Sequence, residues 1–275
     1  MSSIQQVNRR DFMKLFGLAS TGIILGCNLS SDKKAFIPQV EGTFSPNLFI
    51  QIQKDGKVTL IASRSEMGQG IRTSLASAIA DELEADWSLI TVKQATGDGK
   101  YGNQNTDGSR SVRTLLEPMR KMGVSAKMML ITAAAKKWNV AESDCKAENH
   151  YVINTLNNEK LFYGDLVEDA SKLEVPAEDT LQLKKVEDFK YIGKTLKSVD
   201  LKDFTHGTAN YGIDVRIPNM KFAAIARCPV TFGTVKSFDS TNAEKVAGVE
   251  KVEELARIIP PTGQFFGALG GVAVI

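Results

Sequence analysis

Cysteine is scarce in this sequence. Its 275 residues hold three, Cys27, Cys145 and Cys228, widely spaced and without a CxxC pair. An iron–sulfur cluster takes four thiolates, so this chain cannot carry one. Cys145 and Cys228 read as two free, buried thiols, with a single bridge between them as the alternative. Histidine is scarcer: His150 and His206 are the only two. They lie far apart with no partner at metal-ligand spacing, so no zinc site is expected, and His150 is expected near the start of an exposed strand. No Gly-x-Ser-x-Gly elbow points to a serine hydrolase, and no GxxxxGK[ST] points to a P-loop. Charge of one sign is also lacking. The formal net charge is +2, and the first 26 residues carry Arg9, Arg10 and Lys14 against Asp11, so the rest is neutral. No basic field is left to attract nucleic acid.

What is present suits a globular chain, with 43% hydrophobic and 24% charged residues, enough for one large or two modest domains. Residues 1–27 read as an export signal. NRRDFMK holds twin arginines, and the apolar run LFGLASTGIILG follows. That run is too short to span a bilayer, which takes about 20 residues, and it suits the core of a signal peptide. Twin arginines mark the route that exports folded proteins, which implies a periplasmic location. The run ends in ILGC, which resembles a lipoprotein-processing box with Cys27 as the lipid-bearing residue; lipidation would anchor the chain to a membrane without a spanning helix. Residues 28–46 read as a polar tether.

Folded structure is expected from Asn47. LFIQIQ and KVTLIAS flank an Asp-Gly turn as a hairpin. Residues 71–87 carry Leu75, Ile79 and Leu83 at helical spacing, which places Glu82, Glu84 and Asp86 outward. A strand LITVKQA follows, then a polar loop, then a long helix after Ser111 whose Pro118 and Gly123 predict a kink or break. Its methionines read as core filler. Two glycine-and-hydroxyl loops, SEMGQG and NQNTDGSRS, thus each open onto a helix. A helix N-terminus has unpaired N–H groups and a partial positive charge, so it suits an anion, and glycine leaves the backbone open to a ligand. Two such loops in about 45 residues suggest one extended phosphate-bearing ligand held at two points. GDGKYG matches GxGxxG as a string, but no helix opens directly on it, which weakens a Rossmann reading.

MGQGIRTSLASAIADELEADW followed by YGNQNTDGSRSVR resembles the molybdenum-cofactor-binding large subunit of the xanthine dehydrogenase and aldehyde oxidase family, in its isoquinoline 1-oxidoreductase beta-subunit-like branch. The resemblance implies a molybdopterin cytosine dinucleotide contacted by Gly68, Gln69 and Gly70 in the first loop. In the second loop it implies Thr106, Gly108, Ser109 and Ser111. Asp107 stands where that family has glycine; a carboxylate there would repel a pyrophosphate unless it points away or caps the helix.

Residues 142–195 read as a short α+β extension and KSVDLKDF as a linker. YGIDVRIPNMKFAAIARCP then resembles the entry of the family's small hammerhead domain, with strands at KFAAIARC, TVKSF and GVEKVEEL and a helix over Ser240–Val246. The expected fold is therefore α+β: a molybdopterin-binding segment at 47–195 followed by a hammerhead-type α/β domain at 196–275. The resemblance implies hydroxylation of an N-heterocycle or aldehyde with water as the oxygen source. Electrons would leave through a small [2Fe-2S] subunit or a c-type cytochrome. The family's general base is a glutamate in a GxGE-like setting that is missing from this sequence, so no catalytic residue is named. The chain reads as the N-terminal part of such a subunit, inactive alone. The alternatives are a split subunit or a non-catalytic, lipid-anchored cofactor-binding module.

Overall fold

The computed structural model describes residues 42–230, 233–256 and 270–275. The export signal and Cys27 lie outside the described residues, as does the expected tether up to residue 41. The chain divides into two compact units, Met1–Thr208 and Ala209–Ile275. Residues 196–208, assigned by sequence to the second unit, thus fall with the first.

The first unit begins earlier than expected. Strand β1, Thr43–Asn47, precedes the hairpin of β2, Ile50–Gln53, and β3, Val58–Ala62. Among the described residues β1 lies at the edge of its sheet and so tolerates Pro46. The alternation of Ile50, Ile52, Val58 and Leu60 puts one face of the hairpin into the core. Helix α1, Ile71–Leu83, carries the chain across to β4, Ile90–Gln94, which pairs parallel with β3. The sheet order is β1-β2-β3-β4. α1 stops at Leu83, short of Trp87, because Glu84 turns left-handed (φ 55°) and its N–H closes on Ala80 and Asp81.

Helix α2, Arg110–Trp138, is one element of 29 residues and includes Pro118. It starts before Ser111, and no break appears at Pro118. A proline inside a helix costs roughly 3 kcal/mol, and here burial of Leu115, Met119, Met122 and Met129 offsets it. These side chains join Leu75, Ile79 and Leu83 of α1 and the inward face of the sheet in one core. Gly123 lets the helices approach: a Cβ there would lie 2.5 Å from the carbonyl oxygen of Ile79.

The acidic residues of α1 are not all outward. Asp81 and Glu82 are fully buried. Asp81 accepts from the N–H groups of Lys190, Tyr191 and Ile192 and from Lys184 Nζ at 3.0 Å. Glu82 accepts from Arg120 Nε at 2.8 Å and from the Lys184 N–H. Burial pushes the Asp81 carboxyl up, but these donors outweigh it and hold it below the usual carboxylate range. Two carboxylates thereby fix the irregular segment 184–192 against α1.

Strands β5, Cys145–Glu148, β6, Tyr151–Asn154, and β7, Lys160–Phe162, form an antiparallel sheet, and α3, Tyr163–Ala170, follows. His150 is neither on a strand nor exposed. With Asn149 it forms the left-handed two-residue turn between β5 and β6 (φ 46° and 73°) and is 1% exposed. Its Nδ1 accepts from the Asp86 N–H at 3.0 Å, so Nε2 carries the proton donated to Gly56 O at 2.9 Å. Burial lowers its pKa. The expected linker at 197–204 contains the start of a short helix, α4, Leu201–His206.

In the second unit β8, Ala224–Arg227, and β9, Val252–Leu255, flank β10, Gly271–Val274, antiparallel on both sides. The expected strand at TVKSF is irregular and the expected helix at 240–246 is a set of turns. Asp239 explains the local change, because its carboxylate takes the N–H and hydroxyl of Thr241 and starts a turn. Cys145 and Cys228 are both free; Cys145 is buried as expected, and Cys228 only half-buried.

Candidate functional site

Of the seven residues singled out by sequence, Gly68, Gln69, Gly70, Thr106, Gly108 and Ser109 fall on two adjacent loops, and Ser111 lies in the first turn of α2. The first leaves β3 and ends at α1; the second ends at α2. Three hydrogen bonds, from two side chains, join them. Thr106 Oγ1 donates to Ser65 O at 2.9 Å. Arg64 reaches across to Asn103 Oδ1 at 3.0 Å and also donates to Asn105 O. Loops 41 residues apart in sequence thereby form one wall.

The first loop is filled from within. Glu66 Oε1 accepts the N–H groups of Gly68 and Gly70, both at 2.9 Å, and Oε2 accepts that of Arg72 at 3.2 Å. These include amides expected to face an anion. Burial pushes the Glu66 carboxyl up, and the three N–H groups more than compensate, so it stays ionised below the usual range. The Gln69 side chain, exposed, also folds back on its own loop, accepting from Met67 N–H and donating to Ser65 O. Gly68 and Gly70 are left-handed (φ 92° and 81°), and a Cβ on either would meet nothing within 4 Å. They therefore leave open space on the outer side of the loop.

The second loop is different. Ser109 is the N-cap of α2, left-handed at φ 53°, and its side chain makes no capping bond. Ser111 is buried in the first turn, and Gly108 is left-handed at φ 51°. Asp107 does not cap the helix. It pairs with Arg110, accepting from Nε at 3.0 Å and Nη2 at 2.5 Å, which neutralises the carboxylate at the loop surface. In GDGKYG, Asp98 takes the Lys100 N–H at 3.0 Å and the chain makes one 3-10 turn, not the helix start that a dinucleotide fingerprint needs.

Sequence reasoning missed Arg64 and Glu66. Arg64 is 4% exposed, and its Nε is buried without a partner. The signal was the strand's own alternation: after Val58, Leu60 and Ala62, the next inward position is Arg64. An arginine at a core-facing position beside a loop marks a charge that the fold must answer. Among the described residues, no group of three or more His, Cys, Asp or Glu side chains is placed to hold a metal ion.

The family model for the molybdopterin cofactor-binding domain matches residues 2–218. The chain belongs to that family. This molybdopterin-domain chain is 33% identical over 213 residues to a membrane-bound aldehyde dehydrogenase [pyrroloquinoline-quinone] of Gluconacetobacter polyoxogenes, a match covering 76% of this chain and 27% of the relative. It is 25% identical to the beta subunit of isoquinoline 1-oxidoreductase from Brevundimonas diminuta, over 94% of this chain and 38% of the relative. It is 30% identical to a nicotinate dehydrogenase subunit of Pseudomonas putida, over 83% of this chain and 19% of the relative. The chain thus spans between about a fifth and two fifths of the relatives it matches.

The residues present fit such a cofactor unevenly. The α2 end offers an uncapped helix N-terminus, an arginine-bearing first turn and a buried guanidinium with an unused donor. The α1 end offers open space over two glycines but already carries a carboxylate.

Proposed function

We propose that this chain is the cofactor-binding part of a molybdenum hydroxylase large subunit, holding a molybdopterin cytosine dinucleotide between its two loops. The observation that carries this reading is the junction itself, in which Arg64 and Thr106 tie two glycine-bearing helix starts into one wall. Gly108, Ser109 and Ser111 would receive the ligand's phosphates at the start of α2. Gly68 and Gly70 would let its neutral part lie against the first loop, whose shape Glu66 and Gln69 hold. When bound, the group would supply two-electron oxidation of a substrate carbon with oxygen from water; the chain's own residues bind and orient it.

The relatives' names support an aldehyde or an N-heterocycle as substrate class. We assign electron removal to a separate [2Fe-2S] subunit or a c-type cytochrome, export to the twin-arginine segment, lipid anchoring to Cys27, and a hammerhead-type role to the second unit. The test is molybdenum content and CMP released on hydrolysis, assayed on the chain purified from a host that makes the cofactor. Both are expected near one per chain; neither metal nor nucleotide, or a quinone in their place, would overturn the reading.

One observation favours association with further polypeptide. Tyr211, Ile213, Ile217, Phe222 and Val230 of the second unit are 57–83% exposed, and every residue of β8 is exposed; cover from further polypeptide would remove these apolar side chains from water.

A further inference from the structure

We propose that Arg64 is the buried counter-charge for an anionic, pyrophosphate-like group seated at the start of α2, and that Asp107 competes with that group for Arg110. The proposal rests on the cofactor reading in naming pyrophosphate as the class.

Arg64 is 4% exposed, and among the described residues no carboxylate forms an ion pair with it. Its bonds go to an amide oxygen and a backbone carbonyl, and its Nε has no partner. A buried charge without a counter-ion is costly. Burial accordingly pushes the guanidinium pKa down, as does the nearby Arg110, while Asp107 acts the other way. The residues it grips, Asn103 and Asn105, lead directly into the Thr106–Ser109 turn. That turn opens the helix whose N-terminus has no side-chain cap. Across the wall, the matching end of α1 is occupied by the Glu66 carboxylate. One end therefore holds its own anion and the other holds surplus positive charge. Asp107 supplies a carboxylate there, but it is an exposed one paired to Arg110 rather than to Arg64. Arg64 acts on the ligand through its field and through the loop it holds, and so is a positioning residue.

The test is calorimetric titration of the full chain, purified without cofactor, with inorganic pyrophosphate and with cytidine 5′-diphosphate at low ionic strength. Arg64→Gln should weaken both about tenfold, and Arg64→Lys, which keeps the charge but loses the fork, should recover most of that. Asp107→Asn, on the surface, should tighten both about threefold by freeing Arg110. Equal loss in the Gln and Lys variants would reduce Arg64 to a staple and overturn the proposal, as would unchanged binding in Arg64→Gln. If Arg64→Gln does not fold, Asp107→Asn decides: tighter binding supports the proposal, and unchanged or weaker binding overturns it. A chain that binds pyrophosphate this way yet never acquires molybdenum would sink the cofactor reading alone. A molybdenum-loaded chain indifferent to these substitutions would sink only the role of Arg64.

Discussion

At the start of α1 three amides meet a carboxylate from the same loop, whereas at the start of α2 Ser109 leaves the first turn without a side-chain cap. Both junctions have glycine before the helix and a left-handed residue at the cap. Composition alone does not separate them. The difference is whether the loop returns an acceptor to its own N–H groups. An anion site at a helix start needs amides that the chain has not already satisfied, so of the two ends the α2 start, where Ser109 makes no capping bond, is the one to which the proposed phosphate contacts are given. The α1 end is a rigid wall whose glycines leave room without offering charge.

The severest way to break this comparison is to pull apart the two helices on which both junctions open. Gly123→Leu puts a side chain where even a Cβ would meet Ile79 O at 2.5 Å and Glu82 Cβ at 3.0 Å. The obstructing atom is backbone and cannot turn aside, so the expected cost is about 3 kcal/mol. Urea unfolding reads it as a lowered midpoint. A midpoint unchanged from wild type would mean that the helices do not need this contact to hold the loops together.

The apolar architecture was legible because it repeats locally. Leu75, Ile79 and Leu83 recur at helical spacing, and Ile50, Ile52, Val58 and Leu60 alternate about an Asp-Gly turn, so α1, α2 and the β2–β3 hairpin could be read from neighbours. The buried charges were not legible. Glu82 faces inward because Arg120 and Lys184 wait 38 and 102 residues away, and no window of sequence contains those partners. His150 was misplaced for a related reason. Its turn is set by left-handed geometry at two non-glycine residues, and its burial depends on Gly56 and Asp86 from elsewhere. In the site, the glycines and hydroxyls announced themselves by composition. Which loop was already filled depended on where the Glu66 side chain points, and sequence spacing does not report that.

A smaller effect tests the contrast between the caps directly. Glu66→Ala removes the acceptor for three backbone N–H groups and should cost about 2 kcal/mol, since bonds to an ionised acceptor are the stronger kind. Ser109→Ala removes a side chain that caps nothing and should stay within about 0.5 kcal/mol. Parallel urea titrations of the two variants read the difference. Equal costs would mean that the two ends are capped alike and that the asymmetry proposed for the ligand has no basis.

The finest distinction is in pH. The folded pKa of Glu66 lies below its ordinary value of 4.5 because the N–H groups of Gly70, Arg72 and Gly68 outweigh the effect of burial. Its contribution to stability is therefore complete above about pH 4.5 and is lost as pH falls from there through the lower folded value. Glu66→Gln keeps the shape and one acceptor oxygen but cannot ionise. The stability gap between wild type and Glu66→Gln should then be constant from neutral pH down to about 5 and shrink below about 4.5. The other acidic groups, Asp81 among them, are present in both proteins and cancel in the difference. At the α2 end Ser109 has no charge to lose, so Ser109→Ala should track wild type over the whole range. A gap for Glu66→Gln that stays flat down to about pH 3 would mean that the carboxylate's charge contributes nothing to stability at the α1 start.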